Sequence, residues 1–204
     1  KGIENYEEPE PTGSTPDDQE AAPPESAPQP PRQVYAEVYH ITPGGVNRLE
    51  RAFAASQPHH LSLWIGDPRQ GAIRASEDFR EQQLPEGLPY YPLTVTFSEP
   101  QHCPQLQVST IFLFPNRRNS TECGFEFATR AGCPDFRGRL VISYQDAVLE
   151  TLLLTGSVVP DPAQAPPDQA FKLTVEATLE GDFAAHTPQT GRDAHLLAEL
   201  RSDD

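Results

Sequence analysis

The chain has 204 residues, 36% of them hydrophobic, and a formal net charge of −15. This length suits one domain with a tail, and the hydrophobic share is below that of a typical compact domain. Because the arginines are scattered through an acidic chain, they do not form the basic cluster that phosphate contacts need, and we predict no nucleic-acid partner. No apolar run approaches the roughly 20 residues that span a bilayer, and we predict no membrane partner.

Polarity is concentrated in the first 32 residues, which are rich in Pro, Glu and Asp. Such a segment buries too little apolar surface to offset the entropy that it would lose on ordering. We therefore predict a disordered acidic Pro-rich linker over 1–32 and a β domain over 33–184. A C-terminal tail follows over 185–204, and its residues 191–204 fit a short amphipathic helix.

The cysteines bear on the compartment of the protein. Cys103, Cys123 and Cys133 form an odd set without a CxxC pair, which favours reduced thiols and a cytoplasmic location. An extracellular adhesion module with one disulfide is the alternative. The chain begins with Lys1 and contains no Met, so we expect it to be a domain of a longer protein.

Period-two alternation of apolar and polar residues recurs from Gln33 onwards and predicts strands. Short strands with turn-rich connections are typical of a sandwich or a barrel. The Pro-rich link at 159–170 favours a crossover between two sheets, and hence an Ig-like β-sandwich of about eight strands; an up-and-down barrel is the alternative. The predicted strands are 34–41, 59–66, 93–97, 106–114, 123–127, 138–144, 148–156 and 171–179.

Two segments between these strands fit other structures. Residues 46–57 space Val46, Leu49 and Phe53 at helical intervals, which predicts one or two helical turns, with a crossover loop as the alternative. Residues 75–83 fit a short helix or a polar loop.

The longest alternating stretch, GRLVISYQDAVLETLLLTGSV (138–158), breaks once, at Gln145-Asp146. We predict that it is a hairpin of the core. Burial of each aliphatic side chain stabilises a fold by about 1.5–3 kcal/mol, so this ribbon is predicted to be a main source of cohesion.

No pattern in the sequence predicts catalytic, cofactor-binding or metal-binding residues. The GxSxG, GxxxxGK[ST] and GxGxxG motifs are absent, and the cysteines lack the close ligand pairs of zinc sites. His102 and Cys103 are adjacent, but they lie in a proline-bounded loop. We predict no enzyme; the alternative is a cysteine- or metal-dependent hydrolase that uses His102, Cys103 and a nearby acid.

Protein is the predicted partner, and four residues are candidates to contact it. Trp64 is the only tryptophan, and it is either a packing residue or an exposed anchor. Arg117, Arg118 and Asn119 lie in the predicted loop FPNRRNSTE (114–122). Loops at the end of a rigid sandwich commonly carry binding residues.

Four segments resemble a β-rich region of large bacterial multidomain proteins, which accompanies caspase-like CHAT protease domains and related effector modules. The resemblance covers about residues 33–180, with Glu150 standing where it leads us to expect Gln. It implies a β-sandwich connector beside a catalytic domain, in a bacterial effector or defence protein, and it carries over no catalytic residue. The segments are LWIGDP (63–68), LPYYPLTVTFSEPQ (88–101), STIFLFPNRRNSTECGFEF (109–127) and the ribbon 138–158.

Overall fold

The computed structural model describes residues 30–177; most of the predicted linker and the predicted C-terminal helix lie outside them. The described residues contain eleven strands and three short 3-10 turns, so the predicted all-β class is confirmed. The strands are β1 (Gln33–Thr42), β2 (Gly45–Leu49), β3 (Ala52–Ala54), β4 (Pro58–Gly66), β5 (Ile73–Asp78), β6 (Tyr91–Glu99), β7 (Cys103–Leu113), β8 (Cys123–Ala128), β9 (Asp135–Tyr144), β10 (Ala147–Val159) and β11 (Lys172–Ala177). The 3-10 turns are Glu81–Gln83, Pro162–Gln164 and Pro167–Gln169.

The eleven strands form one hydrogen-bonded sheet. Nine of them follow the order β7-β6-β9-β10-β11-β5-β1-β4-β8, while β2 pairs with β1 and β3 with β10. Its end strands, β7 and β8, lie close to each other, so the sheet is nearly closed into a barrel. Two groups of antiparallel strands are joined where β11 pairs with β5 through Leu173 and Ala75. The described residues therefore hold more than the predicted eight strands, because β2, β3 and β5 lie in segments without a clear period-two signal.

The interior is a single hydrophobic core to which almost every strand contributes. On β6, the alternate residues Leu93, Val95 and Phe97 have no exposed surface. One end of the interior is aromatic: the ring centroid of Phe53 lies 4.2 Å from that of Phe136. Alternation thus places the apolar side of each strand inside, as the sequence predicts.

The helical turns predicted over 46–57 are wrong, because this segment contains β2 and β3. β2 forms a hairpin with β1, in which Leu49 lies opposite Val38, and β3 runs parallel to β10. The apparent helical face does not exist: Val46 is 62% exposed, whereas Phe53 is fully buried. Tertiary pairing overrides the local spacing here.

The segment 75–83 forms neither the short helix nor the polar loop that its sequence fits. The segment continues β5 as far as Asp78, which pairs with Gln33 of β1, and only Glu81–Gln83 forms a 3-10 turn. Phe79 between them is 2% exposed and reaches the core.

The predicted hairpin of the ribbon 138–158 is present as β9 and β10. Tyr144 pairs with Ala147, and both intervening residues, Gln145 and Asp146, have positive φ angles of 48° and 68°. This is the geometry of a two-residue type I′ turn, which matches the right-handed twist of the flanking strands. A register shift between Val148 and Glu150 then bends β10.

Candidate functional site

Three of the predicted interaction residues converge on one residue, Asp67, which follows β4. Trp64 donates its indole N–H to the Asp67 carbonyl oxygen at 3.0 Å. The Arg118 guanidinium lies 2.7 Å from the Asp67 carboxylate, and the Asp67 amide donates to Asn119 Oδ1 at 2.7 Å. These contacts tie the loop after β4 to the loop between β7 and β8.

Arg117 has a different set of contacts. Its guanidinium carbon lies 4.7 Å from the centre of the Phe114 ring, and its carbonyl oxygen accepts a hydrogen bond of 2.8 Å from Arg32. Arg32 also donates to the Phe114 carbonyl oxygen and pairs with Glu81. Arg117 is therefore at the end of the domain where β1 begins.

Trp64 is a packing residue and not an exposed anchor. Its side chain is 1% exposed because Tyr35 stacks on it, with ring centroids 5.7 Å apart. The guanidinium carbon of Arg69 lies 4.1 Å from the centre of its ring.

The guanidinium of Arg69 contacts two carboxylates and the Trp64 indole. Its Nη1 lies 2.7 Å from Glu122 Oε2 and 3.9 Å from Glu37 Oε2. We call Trp64, Glu37 and Glu122 the arginine cage, because all three contact this guanidinium. β1 carries Glu37 and β4 carries Trp64, which places them on the outward side of neighbouring strands, and Glu122 immediately precedes β8.

Other side chains hold the two carboxylates of the cage. Tyr39 donates to Glu37 at 2.6 Å, and Ser62 donates to Glu122. Burial raises the pKa of Tyr39 to about 12, with further contributions from Glu37, so the phenol keeps its proton. Burial acts to raise the pKa of Glu122, but the hydrogen bonds from Ser62 and Arg69 outweigh it and hold that pKa below its usual value.

The sequence analysis did not find this cage. Glu37 offers a signal in retrospect, since it is an acidic residue inside the otherwise apolar strand VYAEVYHI and is only 5% exposed. Arg69 offers none, because its two carboxylate partners lie 32 and 53 residues away in the sequence.

His102 and Cys103 do not form a nucleophile–base pair. The His102 ring accepts a hydrogen bond from the Arg130 amide through Nδ1, at 2.9 Å, and Nε2 lies 3.0 Å from the Asp135 carbonyl oxygen. Both ring nitrogens are thus engaged by the main chain. Cys103 Sγ instead donates to the Gln105 carbonyl oxygen and accepts from the side-chain Nε2 of Gln107.

His59 is fully buried in the aromatic end of the core. Its Nε2 accepts a hydrogen bond of 3.1 Å from the Ala54 amide, which leaves the proton on Nδ1. Nδ1 has no hydrogen-bond partner of good geometry in the described part of the chain. Burial lowers the pKa of His59 to about 4, and the neighbouring His40 adds to this shift, so the ring is neutral near pH 7.

Glu150 is another buried titratable group with unpaired polar atoms in the described part of the chain. It is 1% exposed, and neither carboxylate oxygen has a hydrogen-bond partner among residues 30–177. The Glu150 side chain lies on the same side of the sheet as that of Ile142, its pairing partner on β9. Burial raises the pKa of Glu150 to about 8, Glu77 raises it further and Arg80 opposes the shift, so the carboxyl is largely protonated near pH 7.

An open groove of about 350 Å³ lies on the outward side of β9 and β10. Its lining carries two cations, two acids and two hydroxyl side chains, and no histidine or cysteine. The lining residues are Asp135, Phe136, Arg137, Thr155, Gly156, Ser157, Asp168, Gln169, Ala170 and Lys172.

All three cysteines are free, with Cys103 and Cys123 buried. Among residues 30–177, no group of three or more His, Cys, Asp or Glu side chains is arranged to hold a metal. The same residues contain no helix of the length and apolar character needed to cross a membrane.

Comparison with protein-family models, curated proteins and solved structures gave no match for this chain.

Proposed function

We propose that the β domain is a non-catalytic protein-interaction domain that connects to a neighbouring domain of a larger protein. The observation that carries this proposal is a set of large apolar side chains left exposed on and beside β7. Leu106 and Val108 are 64% and 61% exposed on alternate positions of that strand. We call this set the apolar face; its members are Leu88, Tyr90, Leu106, Val108 and Phe112.

The outward positions of β6 and β7 around the apolar face carry no charged side chain. Thr96 of β6 pairs with Val108 on one side and with Val141 of β9 on the other. The neighbouring outward positions are Pro92, Thr94, Ser98, Thr110 and Ser143. In a chain that is 22% charged, such a face has the depletion of charge that marks the centre of a protein interface.

Two cations border this face: Arg117 lies at the end near Phe114, and Arg137 projects from β9. A third, Arg139, is already paired with Glu176 at 2.7 Å. The partner surface that complements it has an apolar centre and an acidic rim.

The small area of the apolar face favours a partner domain that belongs to the same polypeptide chain. Ten residues of β6, β7 and β9 form the outward surface here: Pro92, Thr94, Thr96, Ser98, Leu106, Val108, Thr110, Phe112, Val141 and Ser143. With about 4.8 Å between strands and about 6.8 Å between alternate residues of one strand, they cover roughly 300 Å² of the sheet. Even twice that area is below the about 800 Å² per side of a stable complex between separate proteins. A covalently linked domain reaches an effective concentration of about millimolar, so it can occupy a small face.

We further propose that the larger protein is a cytoplasmic bacterial effector of the CHAT-protease-associated type, and that the domain is related to Ig-like sandwiches. The resemblance over residues 33–180 supports the first part. The two groups of antiparallel strands, joined through the pairing of Leu173 with Ala75, support the second.

The test is photo-crosslinking within the longer parent protein. A photoreactive amino acid replaces Val108 in one variant and Val46 in the control variant; the two valines are 61% and 62% exposed, but Val46 lies on β2. We expect an intramolecular crosslink to a neighbouring domain from position 108 and none from position 46. Equal crosslinking from both positions, no crosslink, or crosslinks to other polypeptides alone would contradict the proposal.

A further inference from the structure

We propose that the arginine cage is a binding site for an arginine side chain of a partner protein, and that Arg69 occupies this site in the free domain. The cage lies on β1, β4 and the start of β8, whereas the apolar face lies on β6 and β7. The inference is therefore independent of the proposed connector function and concerns a different part of the surface.

The chemistry of the cage selects a guanidinium. The indole of Trp64 offers a ring face 4.1 Å from the guanidinium carbon, and Glu122 accepts at 2.7 Å. Glu37 adds a second negative charge at 3.9 Å. A planar cation that stacks on a ring while it donates to a carboxylate at its edge is an arginine, because a lysine ammonium has no plane to stack.

The guanidinium of Arg69 can leave without unfolding its loop. The loop after β4 is held through other atoms: the Asp67 carbonyl oxygen by Trp64, the Asp67 amide by Asn119, and the Gln70 carbonyl oxygen by Arg48. The Arg69 side chain is 49% exposed, so solvent and a competing side chain both reach it. An ion pair this exposed contributes little to stability, because water screens it.

The cage keeps its shape when the guanidinium leaves. Tyr39 and Ser62 hold the two carboxylates, and Arg48 lies 3.7 Å from Glu37. Tyr35 also stacks on Trp64, with ring centroids 5.7 Å apart. A site with its acceptors already oriented loses little entropy on binding.

Arg69 is a tethered competitor with an effective concentration of about millimolar. An isolated guanidinium compound must therefore exceed that concentration to displace it, whereas a protein partner adds contacts beside the cage. Substitution of Arg69 removes the competitor and leaves the acceptors in place.

The test uses the fluorescence of Trp64, the only tryptophan in the chain. The probe is N-acetyl-arginine methylamide, and the control is the citrulline analogue, which has a similar shape and no charge. Both are titrated at constant ionic strength into the wild type, Arg69→Ala, Arg69→Gln and Arg69→Ala/Glu122→Gln. Thermal unfolding verifies that each variant is folded.

We expect a saturable change with the arginine probe in both single variants, at a concentration about two- to sixfold below that required by the wild type, because the competitor that is removed is a weak, exposed ion pair. The citrulline probe and the Glu122→Gln double variant are expected to show no saturable change. Equal responses of the wild type and the single variants, or an equal response to citrulline, would overturn the proposal. A response of the variants with none in the wild type at any concentration would show that Arg69 is not displaced, and would overturn it as well.

Discussion

The carboxamide of Gln107 binds both main-chain groups of Glu126, with its Nε2 2.6 Å from the carbonyl oxygen and its Oε1 3.2 Å from the amide nitrogen. Gln107 lies on β7 and Glu126 on β8, the two end strands of the sheet. A side-chain amide thus takes the place of a main-chain pair across the seam of the sheet. Thr121 makes a similar bridge to the Phe112 amide at 2.8 Å. Unprotected strand edges promote aggregation, and these side chains cover part of one.

Gln107→Ala is expected to destabilise the fold by about 1 kcal/mol, because it removes two hydrogen bonds from a partly solvated seam together with the contact between Nε2 and Cys103 Sγ. Urea unfolding measures the change, and hydrogen exchange at the Glu126 amide is expected to become faster. Gln105→Ala, an exposed substitution on the same strand, is the matched control. Equal stability of the two variants would show that the bridge contributes nothing.

The double substitution Gln145→Asn/Asp146→Gly is expected to stabilise the hairpin by about 0.5–1 kcal/mol. Both residues have positive φ, a conformation that is unfavourable for ordinary side chains and favourable for the Asn-Gly pair of a type I′ turn. Urea unfolding measures the gain. Ala147→Gly, beside the turn and without a positive φ, is the control and is expected to destabilise. A loss of stability in the double variant would exclude this turn geometry.

Glu150 is expected to make stability fall as the pH rises. Its pKa is about 8 in the folded state, against 4.5 as the ordinary value, so unfolding releases a proton between these two pH values. The fall has a limiting slope of about 1.4 kcal/mol per pH unit. Glu150→Gln is neutral at every pH and is expected to lack this fall, so that its stability relative to the wild type increases from pH 4.5 to 8.

Urea unfolding at a series of pH values compares the two proteins, and Glu86→Gln, an exposed substitution, serves as the control. A constant difference between wild type and Glu150→Gln across that range would mean that Glu150 does not retain its proton.

His59 is expected to have the opposite effect. Its pKa is about 4 in the folded state and 6.5 ordinarily, so the unfolded state binds an additional proton between these values and stability falls as the pH drops through them. His59→Gln keeps an acceptor for the Ala54 amide but does not titrate. The wild type is expected to lose stability relative to this variant from pH 6.5 to 4, at up to about 1.4 kcal/mol per unit.

The control is His60→Gln, on the outward side of the same strand. Parallel stability curves for the wild type and His59→Gln would contradict a buried neutral His59. In the wild type, the effects of His59 and Glu150 oppose each other between about pH 4.5 and 6.5, so the single variants are needed to separate them.

Most strands could be predicted from the sequence, because alternation along a segment such as 93–97 follows from its own composition. β2 and β3 were missed, since Leu49 and Phe53 acquire strand structure from pairing with β1 and β10. The candidate site was predicted only in part. Trp64, Arg118 and Asn119 were singled out, but their common partner Asp67 and the cage around Arg69 were not.

The amino-acid sequence by itself determined the all-β class, the hairpin at Gln145-Asp146 and the apolar side of each main strand. These are local properties: the period of a strand and the conformation of a turn depend on a few consecutive residues. Only the tertiary structure decided that the sheet nearly closes through Gln107, that Trp64 is covered, and that Arg69 lies between Glu37 and Glu122. Each of these depends on which distant segments meet, and the energy of such a contact is absent from either segment alone.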